Sequence, residues 1–219
     1  MTGTGPGPAV YAHPIAAFLP PTYGLDIETD TTLDGLDPRI ASVVAIALAG
    51  DGLEVVLDGE ETTMLRALDE TLAQLAPGVL VTWNGSGFDL PFLADRAALW
   101  NVEIGLRLLL DPRIAGRHEP LTGHPGAYRA TWHGHRLVDG YHLYRADVGA
   151  SLRFPCGLKP LARMVGLPVV EVDRARIHEL TEAERRAYVA SDAHLARALV
   201  ARRTGWARAI DQVPASSGS

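Results

Sequence analysis

Three short segments of this sequence place carboxylates, and one tyrosine, inside apolar surroundings. The segments are Leu25-Asp26-Ile27-Glu28-Thr29, Asn84-Gly85-Ser86-Gly87-Phe88-Asp89 and Tyr188-Val189-Ala190-Ser191-Asp192. A carboxylate is costly to bury unless a positive charge compensates it. Divalent metal ions are a common compensation, and carboxylate oxygens are the ligands that Mg²⁺ and Mn²⁺ prefer. The segments therefore predict an acidic two-metal site, which is typical of phosphodiester hydrolysis.

The predicted secondary structure can bring these side chains together. A buried strand over residues 23–27 delivers Asp26 and Glu28, and alternation places both on one face. Asp89 falls at the start of a predicted helix over 88–100, where the helix dipole stabilises an anion. Tyr188 and Asp192 are four residues apart on a predicted final helix over 181–204, and so share one face of it. A strand end, a helix start and a helix face can therefore converge.

The remaining pattern predicts an α/β fold. Apolar runs indicate further strands over 40–49, 53–57, 79–82 and 136–141, and periodicity indicates helices over 60–76 and 158–165. Strands first, then alternating strands and helices, favour a mixed central β-sheet flanked by α-helices. Residues 111–135 are rich in Pro, Gly, His and Arg and carry no assignable element. We expect a single domain over 9–213, with disordered ends at 1–8 and 214–219.

Length and composition narrow the class of protein. The chain has 219 residues, of which 47% are hydrophobic, so it can bury a sizeable core. No apolar run reaches the length of a membrane-spanning helix, and the N-terminus lacks the basic region of a signal peptide. The single cysteine, Cys156, excludes an intramolecular disulfide framework. These features predict a cytoplasmic protein without a membrane partner, and one too short to include a polymerase module.

The charge is distributed unevenly along the chain. The net charge is -6, but residues 1–106 hold three basic and fifteen acidic residues, whereas 107–219 hold seventeen basic and eleven acidic ones. Bound metal would offset part of the acidic excess in the first half. The basic half could contact phosphates, and the candidates in or beside the unassigned segment are Arg113, Arg117, Arg129 and Arg136.

At the three acidic segments the sequence resembles the DEDD 3′–5′ exonucleases, and most of all the proofreading exonuclease of family B DNA polymerases. The stretch Trp-Asn-Gly-Ser-Gly-Phe-Asp-Leu-Pro-Phe-Leu at 83–93 is the most specific match. The resemblance spans about residues 22–200 and implies a ribonuclease H-like fold. The histidine subclass of these nucleases would carry a histidine five residues before Asp192, where this chain has Ala187. The tyrosine subclass is therefore indicated.

The resemblance implies a role for each site residue. Asp26 would bridge two divalent ions, Mg²⁺ or Mn²⁺, with Glu28 and Asp192 completing the first site. Asp89 would hold the second ion, and Tyr188 would orient the attacking water, since a phenol with a pKa near 10 is a poor free base. No organic cofactor is expected. The side chains expected to contact the substrate are Thr29, Asn84 and Phe88.

The resemblance also implies a substrate and leaves alternatives open. We expect single-stranded nucleic acid to be shortened from its 3′ end to nucleoside 5′-monophosphates, in DNA repair or end trimming, with DNA favoured. An RNA 3′ exonuclease is the first alternative, because no residue is identified that would read a 2′-hydroxyl. A catalytically silent nucleic-acid-binding module is the second. The protein partner, if any, is not predicted.

Several other polar residues are expected to have structural roles. Asp139, on the predicted strand over 136–141, is expected to be structural rather than catalytic. Lys159, the only lysine, is expected to be solvated. His133 and His135 are expected to belong to a polar loop, because no further cysteine or histidine pair stands at zinc spacing.

Overall fold

The computed structural model describes residues 20–114 and 120–203, and within them a seven-stranded mixed sheet forms the centre of the molecule. The strands are β1 (Thr22–Thr29), β2 (Val43–Gly50), β3 (Leu53–Asp58), β4 (Val79–Thr82), β5 (Leu106–Leu110), β6 (Tyr128–Trp132) and β7 (His135–Asp139). Their order across the sheet is β3-β2-β1-β4-β7-β6-β5. The pairs β1/β4 and β4/β7 are parallel, and the other neighbours are antiparallel.

Helices cover both faces of this sheet. They are α1 (Glu61–Gln74), α2 (Asp89–Leu99), α3 (Gly140–Tyr144), α4 (Ala150–Leu152), α5 (Leu158–Met164) and α6 (Glu182–Ala201), with a π-helical turn at Arg145–Gly149 and a 3₁₀ segment at Arg174–Glu179. Apolar residues of α1 and α2 pack on one face, and those of α5 and α6 pack on the other. The predicted mixed sheet with flanking helices is therefore confirmed.

The helix α6 begins as the sequence predicts. The hydroxyl of Thr181 accepts a hydrogen bond from the Glu184 amide, while the Glu184 carboxylate accepts one from the Thr181 amide. This reciprocal cap satisfies two amides that a helix start would otherwise leave without partners. The cap sets where the helix begins, and so where Tyr188 and Asp192 fall along it.

The far end of the sheet differs from the prediction. The segment 111–135, to which the sequence assigned no element, contains β6, and β5 before it was missed. The sequence of β5, Leu-Arg-Leu-Leu-Leu, shows no alternation of apolar and polar residues. In this edge strand leucines also occupy exposed positions, and Leu109 is 63% exposed. The strand predicted over 136–141 ends at Asp139, and Gly140 already begins α3. The predicted disordered ends, 1–8 and 214–219, lie outside the described residues.

Candidate active site

Three of the four predicted metal ligands meet between β1 and α6. One oxygen from each of Asp26, Glu28 and Asp192 lies within 4.8 Å of the others. Glu28 is 7% exposed and Asp192 only 1%, whereas Asp26 is partly open to solvent. We call these three residues the carboxylate cluster. A set of three oxygen donors in such poor contact with water suits a hard divalent cation such as Mg²⁺ or Mn²⁺.

Small side chains allow α6 to approach β1 this closely. Leu25 and Ile27 point to the α1 side, so alternation turns Gly24, Asp26 and Glu28 toward α6. A Cβ atom at Gly24 would lie 2.1 Å from the carbonyl oxygen of Ala193 on α6, closer than any real contact. On the neighbouring strand, the residues that pair with these three positions are all alanines: Ala45, Ala47 and Ala49. The carboxylate cluster therefore depends on tight packing of α6 against the sheet.

Asp89 reaches the site from the other side. It is the first residue of α2 and is 5% exposed. It lines one cavity together with Asp26 and Glu28, but it is not a member of the carboxylate cluster. Asp89 therefore lies beside the carboxylate cluster rather than in it.

The cavity itself has a volume of about 580 Å³. The three residues predicted to contact substrate all line it: Thr29, Asn84 and Phe88. The Thr29 hydroxyl is already used, because it donates to the carbonyl of Gly35 at 2.7 Å. Sequence reasoning missed several other lining residues, which come from five separate stretches of chain: Thr31, Leu36, Trp83, Tyr141, Cys156 and Ile177. The cavity is thus formed by segments that are distant in the sequence, so no local sequence pattern reveals it.

A hydrogen bond joins two segments that line this cavity. Thr31 and His178 meet at 2.9 Å between the threonine hydroxyl and Nδ1 of the histidine. Thr31 lies in the loop after β1, and His178 lies in the 3₁₀ segment whose Ile177 also lines the cavity. The loop after β1 and the 3₁₀ segment are therefore linked directly at the cavity.

Lys159 is buried in the site, so the prediction of a solvated lysine is wrong. The residue is 9% exposed, and its ammonium lies 3.5 Å from an oxygen of Asp192. The same nitrogen lies 3.6 Å from the centroid of the Tyr188 ring and donates to the Val170 carbonyl at 2.7 Å. A lysine is rarely buried unless it is paired. Here the negative charge of Asp192 and the face of the tyrosine ring compensate it.

Tyr188 lies on the packed side of the site. Its side chain is fully buried beneath Lys159, and it is not among the described residues that line the cavity. Asp192, one turn further along α6, is equally buried. Tyr188 therefore lies against Lys159, rather than among the described residues of the cavity wall.

The remaining predicted residues lie away from the cavity. His135 is in β7, where its Nε2 meets the Leu72 carbonyl at 2.8 Å, so it does not belong to a loop as predicted. His133, in the turn before that strand, meets Asp69 at 2.9 Å. Asp139 accepts hydrogen bonds from backbone and hydroxyl groups, in agreement with a structural role.

The arginines proposed to bind phosphate have other partners. Arg113 and Arg129 both pair with Asp111, at 3.0 Å and 2.9 Å. Arg136 lies on β7, and Arg117 falls outside the described residues. The described members of this group do not line the cavity, so a phosphate path over them stays a prediction.

The chain was also compared with known protein families and structures. Residues 24–121 match the family model of the DNA polymerase family B exonuclease domain. No curated protein matches the chain in sequence. None of the described helices is long and apolar enough to cross a membrane.

Among solved structures, the chain is similar to the family B DNA polymerase from the hyperthermophilic archaeon Pyrobaculum calidifontis. The TM-score is 0.59 and the sequence identity is 23%. The match covers 83% of this chain but only 24% of the polymerase, so the chain spans about a quarter of that protein. The shared feature is the α/β, ribonuclease H-like exonuclease fold. The family match over residues 24–121 and the shared fold both support a proofreading-type 3′–5′ exonuclease domain of the family B DNA polymerase kind.

Proposed function

We propose that this 219-residue chain is by itself a metal-dependent 3′–5′ exonuclease that prefers single-stranded DNA. The observation that carries the proposal is the convergence of Asp26, Glu28 and Asp192 within 4.8 Å, next to the cavity that Asp89 also lines. The family match supports DNA as the substrate, because the matched domain belongs to DNA polymerases.

The chain offers ligands for two divalent ions. Asp26, Glu28 and Asp192 would hold the first, and Asp26 with Asp89 would hold the second. When bound, such ions polarise a phosphodiester and stabilise the negative charge that develops on its attacking and leaving oxygens. The carboxylates also gain from the ions, since several like charges in one buried place repel each other.

Two further side chains act beside the carboxylates. We assign to the Tyr188 hydroxyl the orientation of the attacking water, as a hydrogen-bonding group held rigid by complete burial. Lys159 would hold Asp192 in place, since its ammonium lies 3.5 Å from that carboxylate. Both side chains belong to the packed side of the site and cannot move without disturbing α5 and α6.

The cavity wall would bind the 3′-terminal nucleotide. Phe88 is half-buried there, and its ring packs against that of Phe92 with the two centroids 5.5 Å apart. A base stacked on such an aromatic ring gains roughly 1–3 kcal/mol. Asn84 stands beside it with an amide that could bond the sugar or the phosphate. Stacking of this kind tolerates any base, as a proofreading-type nuclease requires.

The direct test is digestion of end-labelled oligonucleotides. With Mg²⁺ or Mn²⁺, a 5′-labelled single-stranded DNA should give a descending ladder, whereas a 3′-labelled one should lose its label at once. EDTA, or the variant Asp26→Ala, should stop both reactions, because Asp26 would be a ligand of both ions. Faster digestion of the matched RNA would favour an exoribonuclease. Nicking of a circular single strand, or no cleavage with any divalent ion, would contradict the proposal.

A further inference from the structure

Asp139, at the end of β7, is a buried carboxylate with four hydrogen-bond donors. One oxygen accepts from the Asn84 amide at 2.9 Å and from the Tyr141 amide at 3.0 Å. The other accepts from the amide and the hydroxyl of Ser86, at 3.0 Å and 2.5 Å. The side chain is 6% exposed, so these donors replace the water that a carboxylate loses on burial.

The segment that Asp139 holds leads directly to Asp89. Residues 84–88, which we call the 84–88 loop, connect β4 to α2. The loop begins with Asn84 in the left-handed region at a φ of 69°, and the amides of Gly87 and Phe88 both bond the Asn84 carbonyl at 3.0 Å. On its far side, the Ser86 carbonyl accepts from the Tyr128 amide at 2.9 Å. The loop is therefore fixed between two strands.

The helix that follows is packed into the core along its length, but its first turn has no side-chain cap. Phe88, at its N-cap, provides no side-chain hydrogen bond to the first turn. Asp89 is the first helical residue, so its carboxylate moves with any shift of the 84–88 loop. Asn84 and Phe88, the two cavity residues proposed to contact substrate, belong to the loop itself.

Asp139 does not take part as a ligand. It stands outside the carboxylate cluster, and both of its oxygens are used by loop donors. His142 on α3 is too far to replace them, with its Nε2 3.8 Å from the nearer oxygen. The carboxylate therefore acts on the loop and reaches the site only through it.

We infer that Asp139 is a positioning residue of the nuclease site, which sets the place of Asp89 and of the substrate contacts Asn84 and Phe88 by fixing the 84–88 loop. A carboxylate suits this task because it only accepts hydrogen bonds, and all four partners donate. The inference rests on the proposed exonuclease function, but its effect on metal binding can be measured without turnover.

The variant Asp139→Asn tests the inference. An asparagine keeps the shape but turns one oxygen into an NH₂ group that faces two donors, so two of the four hydrogen bonds are lost. Changing a residue that orients a metal ligand costs about 10- to 100-fold in metal affinity or activity. We expect Mn²⁺ affinity, measured by calorimetry, and kcat on a 5′-labelled single strand to fall within that range in the folded variant.

Asp69→Asn is the matched control. One oxygen of Asp69 accepts from the Gly105 amide at 2.7 Å, from Trp132 Nε1 at 2.6 Å and from His133 Nε2 at 2.9 Å. Asp69 lies on α1 and does not line the catalytic cavity. Its variant should lose stability to urea but keep wild-type Mn²⁺ affinity and kcat. Equal Mn²⁺ affinity and kcat in folded Asp139→Asn and Asp69→Asn would overturn the inference.

A milder variant covers the case in which Asp139→Asn does not fold. Ser86→Ala removes only the hydroxyl that bonds Asp139, and a several-fold loss of kcat and Mn²⁺ affinity supports the inference, whereas wild-type values overturn it. A wild-type protein that binds Mn²⁺ but cleaves nothing would instead contradict the proposed function. The Mn²⁺ affinities would then still decide the role of Asp139.

Discussion

The carboxylate cluster and the 84–88 loop bring acidic side chains to one cavity, but different forces hold them. The carboxylate cluster depends on the close approach of α6 to β1, across Gly24 and three alanines of β2. The 84–88 loop has one such close contact, at Gly85, where an added Cβ would lie 2.5 Å from Thr82, but it is also held to its neighbours by the hydrogen bonds of Asp139 and of the Tyr128 amide. A change of volume should therefore damage the first region, whereas a change of hydrogen bonding at Asp139 should damage only the second.

The largest effect is expected from Gly24→Ala. The added Cβ would lie 2.1 Å from the Ala193 carbonyl, so α6 must move away from β1. Overpacking of this kind costs about 1–3 kcal/mol or more in the free energy of unfolding. Because Asp192 moves with α6, kcat should fall as well. Urea unfolding and oligonucleotide digestion measure the two effects.

Gly126→Ala provides the control for that substitution. A Cβ at Gly126 would meet Leu110 at 3.6 Å, an ordinary contact, and the residue is remote from α6. It should leave kcat unchanged. If Gly24→Ala unfolds at the same urea concentration as this control and digests DNA equally fast, the packing account of the carboxylate cluster is wrong.

A smaller effect is expected from Tyr188→Phe, which separates packing from chemistry within the same region. The ring stays in place under Lys159, and only the hydroxyl is lost. We expect kcat to fall by about 10- to 100-fold, a loss of about 1.4–2.7 kcal/mol in transition-state stabilisation. Mn²⁺ affinity should stay near the wild-type value. Single-turnover rates at saturating substrate measure the chemical step, and a wild-type rate there would exclude a role for the hydroxyl.

The smallest effect is expected in acid, at Asp111 on the edge of the sheet. Asp111 lies between β5 and β6, and its hydrogen bonds from Arg113, helped by the charge of Arg129, lower the pKa of the carboxyl from 3.8 to about 2. The ionised form therefore stabilises the folded state above pH 4 and is lost as the pH falls toward about 2. Asp111→Asn should lower the free energy of unfolding by at most about 1 kcal/mol at pH 7.

The pH dependence of that difference is the check. Urea unfolding of the wild type and of Asp111→Asn at several pH values should show the gap closing below pH 4, because protonation removes what the substitution removes. A gap that stays constant down to pH 2.5 would mean that Asp111 does not stabilise this edge of the sheet through its charge.

The same contrast explains what the sequence could predict. Alternation places Asp26 and Glu28 on one strand face, and a spacing of four places Tyr188 and Asp192 on one helix face, so the packed region was foreseen from local periodicity. The role of Asp139 was not, because its partners at Asn84 and Ser86 are more than 50 residues away in the chain. Lys159 was misplaced for a related reason, since the groups that compensate its burial lie on α6.

Electron paramagnetic resonance of Mn²⁺ tests the central claim most directly, namely that the carboxylate cluster and Asp89 together form one site for two metal ions. In a titration with a saturating deoxynucleoside 5′-monophosphate, we expect two bound ions per wild-type chain. Asp89→Asn should keep one of them, and Asp26→Ala, which lacks the shared ligand, should bind neither tightly. Equal binding of Mn²⁺ by the wild type and by Asp26→Ala would contradict the account.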